Sequence, residues 1–221
     1  MIVDERIITF INSLDTKNSE ILEDIEREAL ADNVPIIRRE MQSFLKVLLM
    51  VKKPMRVLEV GTAVGFSALL MSEYVPEECA ITTIENYEKR IPIARQNFVR
   101  AGKEKKITLL EGDAMDVLKT LEGPYDFIFM DAAKGQYIHY LPEILRLLAK
   151  GGILVSDNVM QDGDVIESRF AVERRDRTIH ARVREYLYEL KHNDALVTSI
   201  IPLGDGVALS VKKEVGTDIA Q

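Results

Sequence analysis

The sequence predicts an α/β fold: a mostly parallel sheet with helices on both faces, extra helices in front of it and an antiparallel hairpin behind. Two observations carry this. From Met55 onward, short apolar runs alternate with amphipathic segments, the rhythm of strand–helix units. Near the end, the apolar runs Leu196–Ile201 and Gly206–Val211 are joined only by Pro202-Leu-Gly-Asp-Gly206. That link is too short for a crossover helix, so the two strands should be antiparallel.

The elements follow in order. Residues 4–14 place Ile7, Ile8, Phe10, Ile11 and Leu14 at helical spacing. Asn18-Ser19 reads as a cap before a helix over Glu20–Ala31, with Ile21, Leu22, Ile25 and Leu30 on one face. Pro35 breaks the pattern, because proline disfavours helical geometry in the residue before it. A third helix runs from Arg38 to Val51, and Lys52-Lys-Pro54 ends it. These helices should cover one end of the sheet. Strands are expected at Arg56–Val60, Ala80–Ile84, Ile107–Leu110, Phe127–Met130 and Ile153–Val155. Helices between them are expected at Phe66–Tyr74, Lys89–Arg100, Met115–Leu121 and Tyr137–Leu148, with Gly151-Gly152 as a turn. Arg177–Lys191 reads as a last helix, and residues from Lys212 as a frayed end. There is no internal repeat. The division is residues 1–52, the N-terminal helices, and residues 53–213, the sheet region, within a single domain overall.

Composition excludes several classes. The chain has 221 residues, 47% hydrophobic, which is ample for one core. A net charge of −7 argues against general nucleic-acid binding, so any such role needs a local basic patch. A single cysteine, Cys79, excludes an internal disulfide framework and reads as a small semi-buried residue. Three scattered histidines are too few for a zinc site. No apolar run approaches membrane-spanning length, and the charged start does not resemble a signal peptide. The expected localisation is cytoplasmic.

Chemistry concentrates at the strand ends. Each expected parallel strand delivers an acid at or just past its carboxyl end: Glu59, Glu85, Asp113, Asp131 and Asp157. Ligands bind there in open α/β sheets. Helix capping could explain any one of these acids, but five in succession point to a site. The turn after the first strand is Gly61-x-x-x-Gly65, without the middle glycine of a dinucleotide loop. A carboxylate at Glu59 would repel a phosphate and favour the sulfonium and amino group of S-adenosylmethionine. Glu85, at the second strand's tip, suits ribose hydroxyls. Asp131, Asp157 and Asn158 offer two carboxylates and an amide oxygen, a hard set suited to Mg²⁺ or another hard divalent cation.

Leu-Glu-Val-Gly-Thr-Ala-Val-Gly-Phe-Ser67, Phe-Met-Asp-Ala-Ala-Lys134 and Val-Ser-Asp-Asn158 resemble the metal-dependent O-methyltransferases of the caffeoyl-CoA and catechol type. The resemblance runs from about Val34 to Gly206. It implies a Rossmann-like methyltransferase fold with a seven-stranded sheet. Asn-Val-Pro-Ile36, Asp-Ala-Ala-Lys-Gly-Gln-Tyr137 and Ile-Ile-Pro-Leu-Gly-Asp-Gly206 are similar to the bacterial subgroup that methylates 5-hydroxyuridine in tRNA. The resemblance implies that Glu59, Gly61 and Ser67 hold the cofactor's methionine part and Glu85 its ribose. It places Asp113 and Ala114 beside the adenine, with the Ile37 backbone also in contact. Asp131 would lie near the amino group and, with Asp157 and Asn158, hold the metal, and Lys134 would be the catalytic base. The metal would chelate two adjacent acceptor oxygens, as catechol or 5-hydroxyuridine provides.

One departure from the family bears on the substrate. The chain has no tryptophan, whereas plant and animal members shape phenolic pockets with tryptophan-bearing loops. That argues against a flat phenylpropanoid.

A basic stretch holds Arg169, Arg174, Arg175, Arg177, Arg182 and Arg184 against Glu173 and Asp176. Arginine's planar fork suits phosphate, so Arg174, Arg175, Arg177 and Arg182 are candidate RNA contacts, with the tRNA anticodon region as partner. A solvated helix face with pairs such as Glu173–Arg177 is the plainer reading. The leading function is a tRNA wobble-uridine O-methyltransferase. A small-molecule catechol-type enzyme, a dinucleotide oxidoreductase and a non-catalytic binding module are the competitors. The resemblance also implies a homodimer, and Leu14, Ile21 and Ile25 offer an apolar surface for it.

Overall fold

In the computed structural model, which describes residues 3–214, the sheet is built outward from β1 (Arg56–Val60). Its partners are β2 (Ala80–Glu85) on one side and β4 (Tyr125–Met130) on the other, both parallel. β3 (Ile107–Glu111) extends the first side. β5 (Leu148–Ser156), β7 (Val207–Lys212) and β6 (Leu196–Ile201) extend the second, giving the order β3-β2-β1-β4-β5-β7-β6. β7 runs antiparallel to both its neighbours, as the short Pro202–Gly206 link requires. The chain leaves β1 in one direction and later returns to its other side. A crevice therefore opens where β1 and β4 end.

Side-chain alternation sorts the strands into two cores. Val57, Phe127, Phe129, Val155 and Val207 face a layer that includes α2 (Glu20–Ala31), α3 (Arg39–Lys52), α4 (Phe66–Glu73) and α5 (Ile91–Arg100). Leu58, Val60, Ile128, Met130 and Leu154 face α6 (Ala114–Thr120), α7 (Tyr137–Leu147) and α8 (Arg177–His192). Glu59 shares the parity of Val57, so the pleat sends it into the first core rather than toward solvent.

Several details differ from the sequence reading. Gly151-Gly152 is not a turn between elements. It lies inside β5 as an irregularity, with Tyr125 opposite Leu148 but Phe127 opposite Ile153. Gly151 takes a positive φ of 67°, which lets the strand bulge and resume. Ser19 occupies the N-cap of α2, but its hydroxyl binds Glu73 at 2.6 Å instead of capping. Two 3₁₀ turns, Lys134–Gln136 and Gln161–Ile166, were not anticipated. Cys79 is fully rather than partly buried, and burial pushes its thiol up to about 11.

The N-terminal helices do more than cover an end. Leu22, Ile25, Met41, Leu45 and Leu49 join the first core. Ile25 is therefore unavailable to a second subunit, because its own chain buries it. α1 (Glu5–Leu14) contributes no buried residue, and Phe10 and Leu14 stay exposed.

Lys212 is not frayed. Its ammonium donates to the Leu145 and Leu148 carbonyls at 2.6 and 2.8 Å, closing the last turn of α7. Residues 215–221 of the expected tail lie outside the described residues. Lys212→Met keeps the stem and removes these donors. It should cost roughly 1–2 kcal/mol, seen as a lower urea midpoint at unchanged slope. An unmoved midpoint would show that water serves these carbonyls equally well.

Candidate active site

The crevice beyond β1 and β4 holds a cavity of about 510 Å³. Its floor is the turn after β1. Gly61 adopts φ +101°, and its N–H reaches the Ile84 carbonyl at 3.1 Å. Gly65, at φ +86°, starts α4 and lies against the Phe98 ring. A Cβ at Gly61 would lie 2.1 Å from the Asp131 carbonyl oxygen. Glycine is thus required for β1 and β4 to end side by side.

Glu85 lies on the cavity wall. Its carboxylate accepts the N–H groups of Ala63 at 2.7 Å, Asn86 at 3.0 Å and Tyr87 at 2.8 Å. The acid thereby fixes the glycine turn to the end of β2 while keeping lone pairs toward the cavity. Ile37, Gly61, Ser67, Ala114 and Asp131 share this wall.

Two expected cofactor residues do not. Glu59 is wholly buried and lies behind the wall. It accepts Ser67 Oγ and Thr83 Oγ1, both at 2.5 Å, and Thr83 in turn meets Thr62 at 2.5 Å. Burial pushes its carboxyl up to about 7 despite these hydrogen bonds. Glu59 can act on a ligand only through Ser67 and the strand end. Asp113 caps α6 by accepting the Met115 N–H at 2.9 Å, while its neighbours Gly112 and Ala114 line the cavity. Capping is its observed role.

Asp131, Asp157 and Asn158 come together on the far wall, as expected. Asn158 Nδ2 donates to Asp131 Oδ1 at 3.2 Å, and the Asn158 N–H donates to Asp157 Oδ1 at 2.7 Å. Burial raises the Asp131 carboxyl, with the Asn158 bond and the Lys134 charge opposing. Burial and the Asp131 charge raise Asp157. Two buried carboxylates facing one cavity are a repulsive arrangement that a divalent cation would relieve. Among the described residues no three His, Cys, Asp or Glu side chains form a metal-holding group; Asn158 would be the third donor beside the two carboxylates. That donor set is hard and fits Mg²⁺ better than zinc. Asn158 at φ +58° turns its amide back toward Asp131.

The structure adds residues that local patterns did not flag. The Tyr137 phenol donates to the Met130 and Asp157 carbonyls at 3.1 and 3.3 Å and accepts the Ala132 N–H at 3.1 Å. It ties together the ends of β4 and β5 that carry the acids. Burial, then the Asp131 and Asp157 charges, raise it well above an ordinary tyrosine, so it stays a donor. Arg38 and Asp205 also line the cavity. Lys134 does not. Its ammonium is 2.9 Å from Asp205. Tyr137 and Asp205 lie within the Asp131–Tyr137 and Ile200–Gly206 stretches, but their roles needed the fold.

The arginines are mostly committed. Arg177 donates to the Val172 and Phe170 carbonyls, and Arg182 donates to the Gly135 carbonyl. Arg184 binds the Val165 carbonyl. Arg175 pairs with Glu173 and Asp176, so the observed ion pair of Glu173 is with Arg175, not Arg177. Arg177 thus organises the segment between Ile166 and α8, and Arg182 ties α8 to the Lys134–Gln136 turn. Arg174 remains exposed.

Comparison with known proteins agrees with this architecture. The O-methyltransferase family matches residues 12–213. A catechol O-methyltransferase of Niastella koreensis is 31% identical, covering 77% of this chain and 79% of its own. Caffeoyl-CoA O-methyltransferase 2 of Populus trichocarpa is 32% identical, covering 75% and 70%. The crystal structure of an SAH-bound Podospora anserina methyltransferase superposes with TM-score 0.86 at 27% identity, covering 95% of each chain.

Proposed function

The chain belongs to the O-methyltransferase family, and on that premise we propose that it methylates, from S-adenosylmethionine, a hydroxyl that lies beside a second oxygen. One arrangement carries this reading. A cavity walled by Gly61, Ser67 and Glu85 opens directly onto Asp131, Asp157 and Asn158. The first set suits a sulfonium nucleoside, because the turn offers close backbone approach and a carboxylate instead of a phosphate-binding lysine. The SAH-bound Podospora anserina neighbour supports that choice.

S-adenosylmethionine, when bound, supplies an electrophilic methyl group. Mg²⁺, when held by Asp131, Asp157 and Asn158, supplies charge that acidifies the acceptor hydroxyl. The chain's own residues do the positioning. Glu85 holds the glycine turn and presents a ribose acceptor. Ser67, anchored by Glu59, sets the wall beneath the methionine part. Tyr137 keeps the two acidic strand ends at fixed separation.

Two acceptors satisfy the adjacent-oxygen requirement. The first is 5-hydroxyuridine at the tRNA wobble position, giving 5-methoxyuridine. It is supported by the subgroup-like motifs and by the exposed Phe170 and Ile166 on the segment following Asn158. The second is a small catechol-like molecule. The carbonyl-bound state of Arg177 and Arg182 favours it, as do the relatives named for catechol and caffeoyl-CoA. α1, with Phe10, Ile11 and Leu14 exposed, is the surface we assign to a homodimer.

The test is transfer of labelled methyl from S-adenosylmethionine to 5-hydroxyuridine-containing tRNA and to catechol. Transfer to at least one acceptor is expected, abolished by chelator and restored by Mg²⁺. Chelator-insensitive transfer would overturn the metal reading, and no transfer to either acceptor would overturn the acceptor class. Steep salt dependence of the tRNA reaction is expected if phosphates are contacted.

A further inference from the structure

We infer that Arg38 sets acceptor specificity: its guanidinium receives an oxyanion, carboxylate or phosphate, that the acceptor carries in addition to its reactive hydroxyl. The inference rests on the methyl-transfer reading above and extends it to the charge of the substrate.

The charged residues lining the cavity are mostly acids: Glu85, Asp131, Asp157 and Asp205. Arg38 and Arg90 are the cations among the described lining residues. They belong to different ends. The Arg90 guanidinium stands 5.1 Å from the centre of the Tyr87 ring, and the Tyr87 N–H is bound to Glu85. Arg90 therefore goes with the end of β2, beside the acid assigned to the ribose. Arg38 goes with the acceptor end. A Cβ added at Gly204 would meet Arg38 Cδ at 3.7 Å, so the side chain runs along the turn between β6 and β7. Its guanidinium then reaches Asp162, in the 3₁₀ turn that follows Asn158, at 3.9 Å. Asp162 is tied to the same β6–β7 turn, since its N–H donates to Asp205 Oδ1. The cation thus lies where the segment after Asn158 meets the β6–β7 turn.

Main chain and side chain are held differently. The Arg38 carbonyl accepts the Gln42 N–H at 2.9 Å and opens α3, which fixes the backbone. The side chain is held loosely. Arg38 and Asp162 are 42% and 67% exposed, and an ion pair that long and that exposed contributes little. An oxyanion of the acceptor can take the place of Asp162 at small cost. Arginine's planar fork matches an oxyanion with two parallel N–H bonds. Arg177 and Arg182 differ in this respect, because backbone carbonyls already occupy them. The acids of the cavity repel an anion, so a preference for anionic acceptors requires a cation such as Arg38.

The experiment pairs acceptors that differ in charge. 3,4-Dihydroxybenzoate is set against 3,4-dihydroxybenzamide, and 5-hydroxyuridine 5′-monophosphate against 5-hydroxyuridine. Methyl-transfer kcat/KM is measured for each, with Mg²⁺ present, in wild type and Arg38→Gln. Comparing the anionic-to-neutral ratio between the two proteins cancels intrinsic differences in acceptor reactivity. Wild type should favour the anion in at least one pair by roughly ten- to a hundredfold, and Arg38→Gln should lose most of that ratio. Arg38→Lys keeps the charge without the fork and should retain part of it. A preference confined to the benzoate pair identifies a carboxylate, and one confined to the nucleotide pair a phosphate.

A ratio that Arg38→Gln leaves unmoved in both pairs would overturn the inference. Equal losses for both members of a pair, as a purely structural role would give, count the same way. So does a fall in SAH affinity by calorimetry with the ratios unmoved, which would assign Arg38 to the cofactor's own carboxylate. Transfer by wild type to none of the four acceptors would instead sink the proposed function. Arg38 is then judged by calorimetric binding of 3,4-dihydroxybenzoate to the SAH-loaded protein. Arg38→Gln should weaken that binding by a similar factor, and binding unchanged from wild type would overturn the inference.

Discussion

Replacing Gly61 by alanine is expected to destabilise the protein by roughly 3–6 kcal/mol and to abolish cofactor binding. Two costs add at this position. The backbone stands at φ +101°, where an L side chain is strained. The new methyl would also sit 2.1 Å from the Asp131 carbonyl oxygen and 2.8 Å from its carbon. Those are backbone atoms, so no side chain can rotate away. Relief requires prying β1 from β4, which endangers the Asp131 N–H bond to the Val60 carbonyl and the Gly61 N–H bond to the Ile84 carbonyl. The same movement displaces Asp131 from Asn158. Urea unfolding and SAH calorimetry measure the two effects. Gly102→Ala is the control, since Gly102 has φ +64° but nothing within 4 Å of its missing Cβ. It should cost only about 1–2 kcal/mol. Equal losses for both variants would show that φ alone matters and that the close approach to Asp131 does not.

Glu59→Gln should make the protein more stable above neutral pH while weakening its hold on the cofactor. Burial raises the Glu59 carboxyl from 4.5 to about 7. The folded state therefore binds this proton more tightly than the unfolded state does. Stability from this group is fully present below pH 4.5 and is lost as pH rises toward 7. The loss is on the order of 3 kcal/mol. Glutamine carries no charge to desolvate, so the variant should gain on wild type across that window and keep the gain at pH 8. Asp131 and Asp157 titrate in both proteins and largely drop out of the difference. The functional cost follows from geometry. Glutamine presents one oxygen where Glu59 accepts both Ser67 and Thr83, so Ser67 loses its fixed orientation and SAH affinity should fall. A stability difference that is flat from pH 5 to 8 would refute this account of Glu59.

Much of the fold was legible because local pattern and tertiary environment agree. β1 and β6 fall on the residues that the apolar runs mark, and the short Pro202–Gly206 link fixed the antiparallel end of the sheet. Strand tips are legible for the same reason. An acid closing an apolar run must lie at a sheet end, and Glu85, Asp131 and Asp157 do line the cavity there. What the local pattern did not give is where a side chain points. Asp113 and Glu59 close or interrupt apolar runs much as the others do, yet one caps a helix and the other is sealed behind the wall.

The sequence by itself determined the layering, the parallel strands with their antiparallel close, and the acids at the strand ends. Their periodicities, 2 for strands and about 3.6 for helices, are properties of neighbouring residues. Only the tertiary structure decided that Arg177 and Arg182 bind backbone carbonyls and that Lys134 is held by Asp205. Those outcomes depend on long side chains finding partners across distant stretches of chain. Charge and spacing along the sequence record that such side chains exist; only the packed sheet and its loops decide what lies within their reach.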